Sequence, residues 1–237
     1  MISAIVLAAG LSVRMGQPKL ALPWGNTTVL GQVISTLENT QIGEIILVTG
    51  ANRESLKDLL VGKPVRFEHN PDYANGEMLS SVKAGLLSLD ENSRGALIVL
   101  GDQPQIQRLV VERVIDAFYT RRSPIVVPSY NRRRGHPWLV DRSLWPQILA
   151  INPPATLRDF LEEQQELIEY LPVEDDSILR DLDTPRIICG NYRRGNRRGA
   201  YPCKQAHLVL FLDEINRLVE CRILGQRSFG GAVFDGC

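Results

Sequence analysis

Four groups of residues in this 237-residue chain combine type and spacing in ways that could do chemistry. The first is LAAGLSVRMGQPKL, residues 7–20, which directly follows the apolar run AIV. Ala8, Ala9 and Gly10 remove side-chain bulk, so backbone N–H groups can approach a ligand, and Gly10 can take a positive φ. A turn of exposed amides is an anion-binding concavity, and Arg14 and Lys19 add fixed positive charge. Together they suit a polyphosphate; the plain alternative is a connecting turn with two solvated cations. The loop is neither a Walker A loop nor G-x-G-x-x-G. The second group is GDQP, with Asp102 ending the most apolar run of the chain. A carboxylate there needs a partner. Magnesium is a natural one, being an oxygen-seeking cation often shared with substrate phosphates. The competing reading is a cap on a helix started by Pro104.

The third group is NPDYANGEMLSSVKAGL, where Gly76, Ser80 and Ser81 stand near a helix start. They could hold a base, ribose or phosphate, or serve as ordinary caps. The fourth, RRRGHPWLVDRSLW, gathers Arg132, Arg133 and Arg134 before Gly135 and His136. It reads as a mobile basic loop for an anionic second substrate, or as a solvated loop. His136 is not assigned as a catalytic base. Asp181 and Asp183 in RDLDTP alternate along the chain, so in an extended segment only one faces the site; Asp183 could instead cap a helix starting at Pro185.

The elements that must position these groups alternate. Apolar runs at 4–7, 44–50, 65–70, 95–104 and 123–130 read as strands, the third of them short and exposed. Between them, residues 27–39, 54–62, 78–92 and 109–122 space apolar side chains at three and four, as helices do. This alternation predicts an α/β fold with a doubly wound, mostly parallel sheet and helices on both faces. Ligands bind such sheets beyond the carboxyl ends of the strands, where Gly10 and Asp102 fall. After the break Asn152-Pro153-Pro154, residues 156–171 read as one helix capped by Thr156.

Composition narrows the class. Hydrophobic residues make up 44% of the chain, enough for one sizeable core, and the formal net charge is +0. With no basic field, nucleic acid is not an expected partner. No apolar run reaches membrane-spanning length, and no signal-type segment opens the chain, so a cytoplasmic enzyme without a membrane partner is expected. The cysteines, Cys189, Cys203, Cys221 and Cys237, form no C-x-x-C pair and read as free thiols. Past Gly190 the sequence turns basic and then Gly-rich; LVLFLDEIN there has a Walker B look, but no Walker A precedes it.

LAAGLSVRMGQPKL resembles the L-A-A-G-x-S-x-R-M-G-x-x-K-L signature of the MobA-like nucleotidyltransferases. NPDYANGEMLSSVKAGL, GDQP, RGHPWLV and DLDTP follow in the family's order, and the nearest branch is that of the molybdenum cofactor cytidylyltransferases. The resemblance covers residues 1–189, which it implies form the transferase domain, with 190–237 an atypical C-terminal extension. It implies transfer of CMP from CTP, or of another nucleotide from its NTP, to a phosphorylated acceptor with release of pyrophosphate. In this branch the acceptor is molybdopterin carrying molybdenum. The product would pass to a molybdenum hydroxylase apoenzyme. Ala9, in LAAG rather than LAGG, looks like the CTP branch. By the same resemblance Arg14, Lys19 and Asp102 are catalytic, Arg14 and Lys19 on the triphosphate. Asp102 holds Mg²⁺ with Asp183 as second carboxylate. Leu7, Ala8, Ala9, Gly10, Gly76, Ser80 and Ser81 hold base and ribose, and Arg134, Gly135 and His136 lie near the acceptor. Alternatives are another acceptor, such as a sugar phosphate, and a non-catalytic molybdopterin-binding chaperone.

Overall fold

The structure is a computed structural model that describes residues 1–10, 19–75 and 77–180. Arg14, Gly76, Asp181, Asp183, the four cysteines and the extension from 190 on lie outside the described residues.

The described residues form ten strands and six α-helices. The strands are β1 (Ile2–Ala8), β2 (Pro23–Trp24), β3 (Thr27–Thr28), β4 (Ile42–Thr49), β5 (Arg66–His69), β6 (Gly95–Leu100), β7 (Ile125–Tyr130), β8 (Arg133–Arg134), β9 (Trp138–Asp141) and β10 (Ile168–Pro172). The helices are α1 (Val29–Glu38), α2 (Arg53–Leu59), α3 (Glu77–Ser88), α4 (Arg108–Arg121), α5 (Trp145–Ala150) and α6 (Leu157–Glu163). The main sheet runs β10-β7-β9-β6-β1-β4-β5, with β8 on β7; β2 and β3 form a separate ribbon. β5, β4, β1 and β6 are mutually parallel, and β9 runs antiparallel between β6 and β7.

The central strands are apolar on both faces because both faces are covered. Ile2, Ala4 and Val6 of β1, with Leu97 and Val99 of β6, pack beneath α1 and α4. Ile5 of β1, with Ala96 and Ile98 of β6, packs beneath α3, α5 and α6 on the opposite face. This is the doubly wound arrangement read from the sequence. β5 is the short, half-exposed edge strand that was expected. Among the described residues no helix is long and apolar enough to cross a membrane.

Two expectations change. Residues 156–171 are not one helix. Thr156 caps α6 through a capping box with Asp159, as expected of it, but α6 ends at Glu163. A short 3₁₀ turn then leads into β10, which pairs in parallel with β7. Leu171 is buried in that pairing, and Arg121 of α4 forms an ion pair with Glu169. Completing the sheet outweighs the local helical spacing. The stretch around Gly135 is likewise not a mobile loop. Arg133 and Arg134 form β8, and Trp138, Leu139 and Val140 are buried in β9, filling the slot between β6 and β7.

Candidate active site at the carboxyl ends of the parallel strands

The parallel strands β1, β4 and β6 end together, and their loops are held by glycines at points of close approach. The N–H of Gly101 donates to the carbonyl of Leu7 at 3.0 Å, and a Cβ at Gly101 would stand 2.9 Å from that oxygen. Glycine therefore lets the turn carrying Asp102 lie against the β1 loop. A Cβ at Gly50, past β4, would stand 2.7 Å from the Ala9 carbonyl oxygen and 2.7 Å from the Tyr73 ring. Ala8 and Ala9 are buried, so they are packing residues whose smallness permits this closeness. Gly10 does not use the left-handed φ that its type would allow; it is exposed, with open space where a Cβ would be among the described residues.

Asp102 is not a helix cap. The N-cap of α4 is Gln107, and Asp102 instead forms an ion pair with Lys19, which sits on the 3₁₀ turn Lys19–Ala21. The Lys19 and Asp102 side chains are 19% and 17% exposed, so their attraction is only partly screened. Leu20 is buried beside Lys19 and anchors this turn to the core. The sequence thus named both members of a pair 83 positions apart.

Ser80 and Ser81 lie in the first turns of α3, and both are held by one residue that the sequence analysis passed over. The buried Asn70 amide donates to Ser80 Oγ at 2.8 Å and Ser81 Oγ at 3.0 Å. Its Oδ1 accepts from the Asp72 N–H at 2.9 Å. The signal was available: a polar residue at the end of a strand must be satisfied if buried.

Gly135 and His136 are fixed from behind. A Cβ at Gly135 would stand 2.5 Å from the Ile178 carbonyl oxygen, and the His136 N–H donates to that oxygen at 3.0 Å. The Arg134 guanidinium lies 5.7 Å from the centre of the Tyr170 ring, a cation–π distance. Desolvation pushes the His136 pKa from 6.5 down to about 4. The Ile98 carbonyl beside it and the Asp102 charge oppose that shift without overcoming it. The imidazole is therefore neutral at pH 7, and it lies within reach of the Asp102 field.

A cleft of about 600 Å³ opens at His136. Arg133, Arg134 and Trp138 line it together with Leu157, Arg158 and Leu161 of α6. The α6 residues were missed because only the fold brings them to the basic segment. Among the described residues no three of His, Cys, Asp and Glu gather as a metal cage. The site offers, among the described residues, the Lys19–Asp102 pair and a cleft lined by three arginines and by Glu162, which forms an ion pair with Arg158 at 2.9 Å.

The described site combines a small-residue loop at the sheet's carboxyl edge, a lysine–aspartate pair and a cleft lined by arginines, and the family match below gives the class, a nucleotidyltransferase. Comparison with known proteins agrees. Residues 4–167 match the model of the MobA-like NTP transferase domain, and the chain belongs to that family. It is 31% identical to the molybdenum cofactor cytidylyltransferase of Escherichia coli (strain K12) over 185 residues, covering 78% of this chain and 92% of the relative. It is 29% identical over 195 residues to the nicotine blue oxidoreductase of Paenarthrobacter nicotinovorans, covering 77% and 92%. Among solved structures, Rv0371c from Mycobacterium tuberculosis H37Rv superposes with a TM-score of 0.69 at 26% identity, over 81% of this chain and 96% of that one. The chain is an enzyme of the nucleotidyltransferase class.

Proposed function

We propose that residues 1–189 form a cytoplasmic cytidylyltransferase that moves CMP from CTP to molybdenum-bearing molybdopterin and makes the cytosine dinucleotide cofactor of molybdenum hydroxylases. An oxygen of the acceptor phosphate attacks the α-phosphorus of CTP. The bond from the α-phosphorus to the α–β bridging oxygen breaks, and pyrophosphate leaves. The acceptor oxygen is already anionic near neutral pH, so no strong base is needed. The task is to bring two polyanions together and to neutralise charge as it moves onto pyrophosphate.

Arg14 and Lys19 take the triphosphate in this reading. Leu7 to Gly10, with Gly76, Ser80 and Ser81, take base and ribose. Arg134, Gly135 and His136 take the acceptor, with Arg158 across the cleft. Asp102 fits a magnesium ion, which needs only one or two carboxylates when phosphates complete its shell. Asp102 would hold the ion, with Asp183 as the second carboxylate, and the bound ion would supply charge neutralisation on the phosphates. Without nucleotide, Lys19 and Asp102 neutralise each other. A triphosphate with its cation offers each the opposite charge, so the pair can open without leaving either side chain uncompensated.

The observation that carries the proposal is that His136 lines the cleft with its Nδ1 3.5 Å from the carbonyl oxygen of Ile98, on the strand that leads into Asp102. The second-substrate cleft therefore adjoins the residue meant to handle the phosphates. The similarity to the Escherichia coli cytidylyltransferase along nearly its whole length supports the choice of CTP and molybdopterin, as does Ala9. The test is pyrophosphate release from CTP, GTP, ATP and UTP with Mg²⁺, with and without molybdenum-loaded molybdopterin. CTP-selective release that requires the acceptor is the expected result. Release that is indifferent to the acceptor, or that favours GTP, would refute it.

A further inference from the structure

Tyr73 stands in the turn between β5 and α3, at the carboxyl edge of the sheet, and none of the roles above uses it. Its position is closely constrained. A Cβ at Gly50 would meet Tyr73 Cγ at 2.7 Å and Cδ2 at 2.8 Å, so the ring lies over a glycine that no other residue could replace without displacing it. The Ala9 carbonyl oxygen is 2.7 Å from the same point, so ring and carbonyl are at most 5.4 Å apart. On another side the ring meets His69, with centroids 6.3 Å apart and planes tilted by 54°. The turn beneath it is tied down. Asn70 Oδ1 accepts from the Asp72 N–H, and the Asn75 N–H donates to the Asp72 carbonyl at 3.1 Å. The ring is nevertheless only half-buried.

A core tyrosine would be enclosed, and a surface one would not need a glycine beneath it. A half-buried aromatic ring, held beside the backbone of the small-residue loop, suits a stacking platform. Every nucleobase has a π-face to offer it. The Ala9 carbonyl beside it is a hydrogen-bond acceptor suited to an exocyclic amino group. We infer that Tyr73 is the nucleobase-binding wall of this site, stacking on the base whose edge the Ala9 backbone reads. The inference rests on residues 7–10 facing the nucleotide, as proposed above, and it adds a specificity-determining side chain to them.

The test is calorimetric binding of CTP and GTP with Mg²⁺ to the full chain and to Tyr73→Phe, Tyr73→Leu and Tyr73→Ala, alongside steady-state pyrophosphate release. Stacking of a base on an aromatic side chain is worth about 1–3 kcal/mol, or roughly 5- to 150-fold in affinity. Tyr73→Leu and Tyr73→Ala are expected to weaken nucleotide binding within that range and to raise KM for the nucleotide equally. The kcat and the acceptor KM should stay within twofold, and Tyr73→Phe should bind as the parent does. Tyr73→Leu keeps bulk over Gly50, so it reads loss of the π-face even if Tyr73→Ala fails to fold. Unchanged nucleotide affinity in Tyr73→Leu, or a fall in melting temperature alone, would overturn the inference. If the parent prefers GTP and Tyr73→Leu weakens GTP, the cytidylyl reading falls while Tyr73 stands. If the parent prefers CTP and Tyr73→Leu binds it equally well, Tyr73 falls alone. A parent that binds neither nucleotide overturns both.

Discussion

The two halves of the candidate site are built differently. The half proposed for the nucleotide gathers at the ends of β1, β4 and β6, parallel neighbours buried on both faces, where Gly50 and Gly101 let two loops lie against the backbone that ends β1. The half proposed for the acceptor is assembled from β8, β9, α6 and the turn near Ile178, around β9, the antiparallel strand between β6 and β7. The first half is set by short-range constraint on a rigid scaffold. The second depends on side chains from separate segments, and its shape is open to change by substitution on any of them.

Substitutions separate the halves. The largest effect is expected at Asp102. Asp102→Ala should lower acceptor-dependent pyrophosphate release by about a hundredfold or more, the scale seen when a preorganised charge-stabilising group is removed. Its melting temperature should change little, since the residue is part-exposed and outside the core. Full turnover in that variant would remove Asp102 from the mechanism. Next is Gly135→Ala. The new methyl would press on Ile178, which is fully buried, and overpacking of this kind costs about 1–3 kcal/mol. Denaturant unfolding should show that loss, and the acceptor KM should rise while the CTP KM holds. Arg134→Ala should raise the acceptor KM about tenfold, the equivalent of 1.4 kcal/mol, with a smaller effect from Arg158→Ala. An equal rise in the CTP KM would mean that the cleft and the strand-end loops are not separate subsites.

The last prediction concerns pH and touches stability rather than turnover. The unfolded chain takes up a proton at His136 near pH 6.5, whereas the folded chain resists it until about pH 4. The unfolded state therefore binds more protons in that window, and stability falls as pH drops from 6.5 to 4, then levels with respect to this residue. The slope is at most about 1.4 kcal/mol per pH unit for one proton. His136→Asn should lack that component when chemical denaturation is followed across the window. An identical pH dependence would show that the imidazole is not desolvated.

The same contrast governs how much the sequence revealed. β1, β4 and β6 and the helices between them were legible, though β6 ends at Leu100 rather than at 104, because two-sided burial writes continuous apolar strands and 3.6-residue periodicity directly into the chain. Lys19 and Asp102 stood out in the sequence because one closes the small-residue motif that follows β1 and the other follows the most apolar strand. β9 and β10 were not. Four and five residues long, they are specified by partners far away in sequence, and residues 157–171 carry helical spacing that only the pairing with β7 overrides. Asn70 offered the signal of a polar residue ending a strand, but its partners Ser80 and Ser81, like the place of Tyr73 over Gly50, come only from the fold.

The most direct test of the central claim follows the atoms. CTP labelled at the α-phosphate would be incubated with the full chain, Mg²⁺ and molybdenum-loaded molybdopterin, and the products separated. The account predicts label in a molybdopterin dinucleotide, one pyrophosphate per labelled product, and loss of both in Asp102→Ala. Label remaining in CTP, or appearing in free CMP at the same rate without the acceptor, would contradict it.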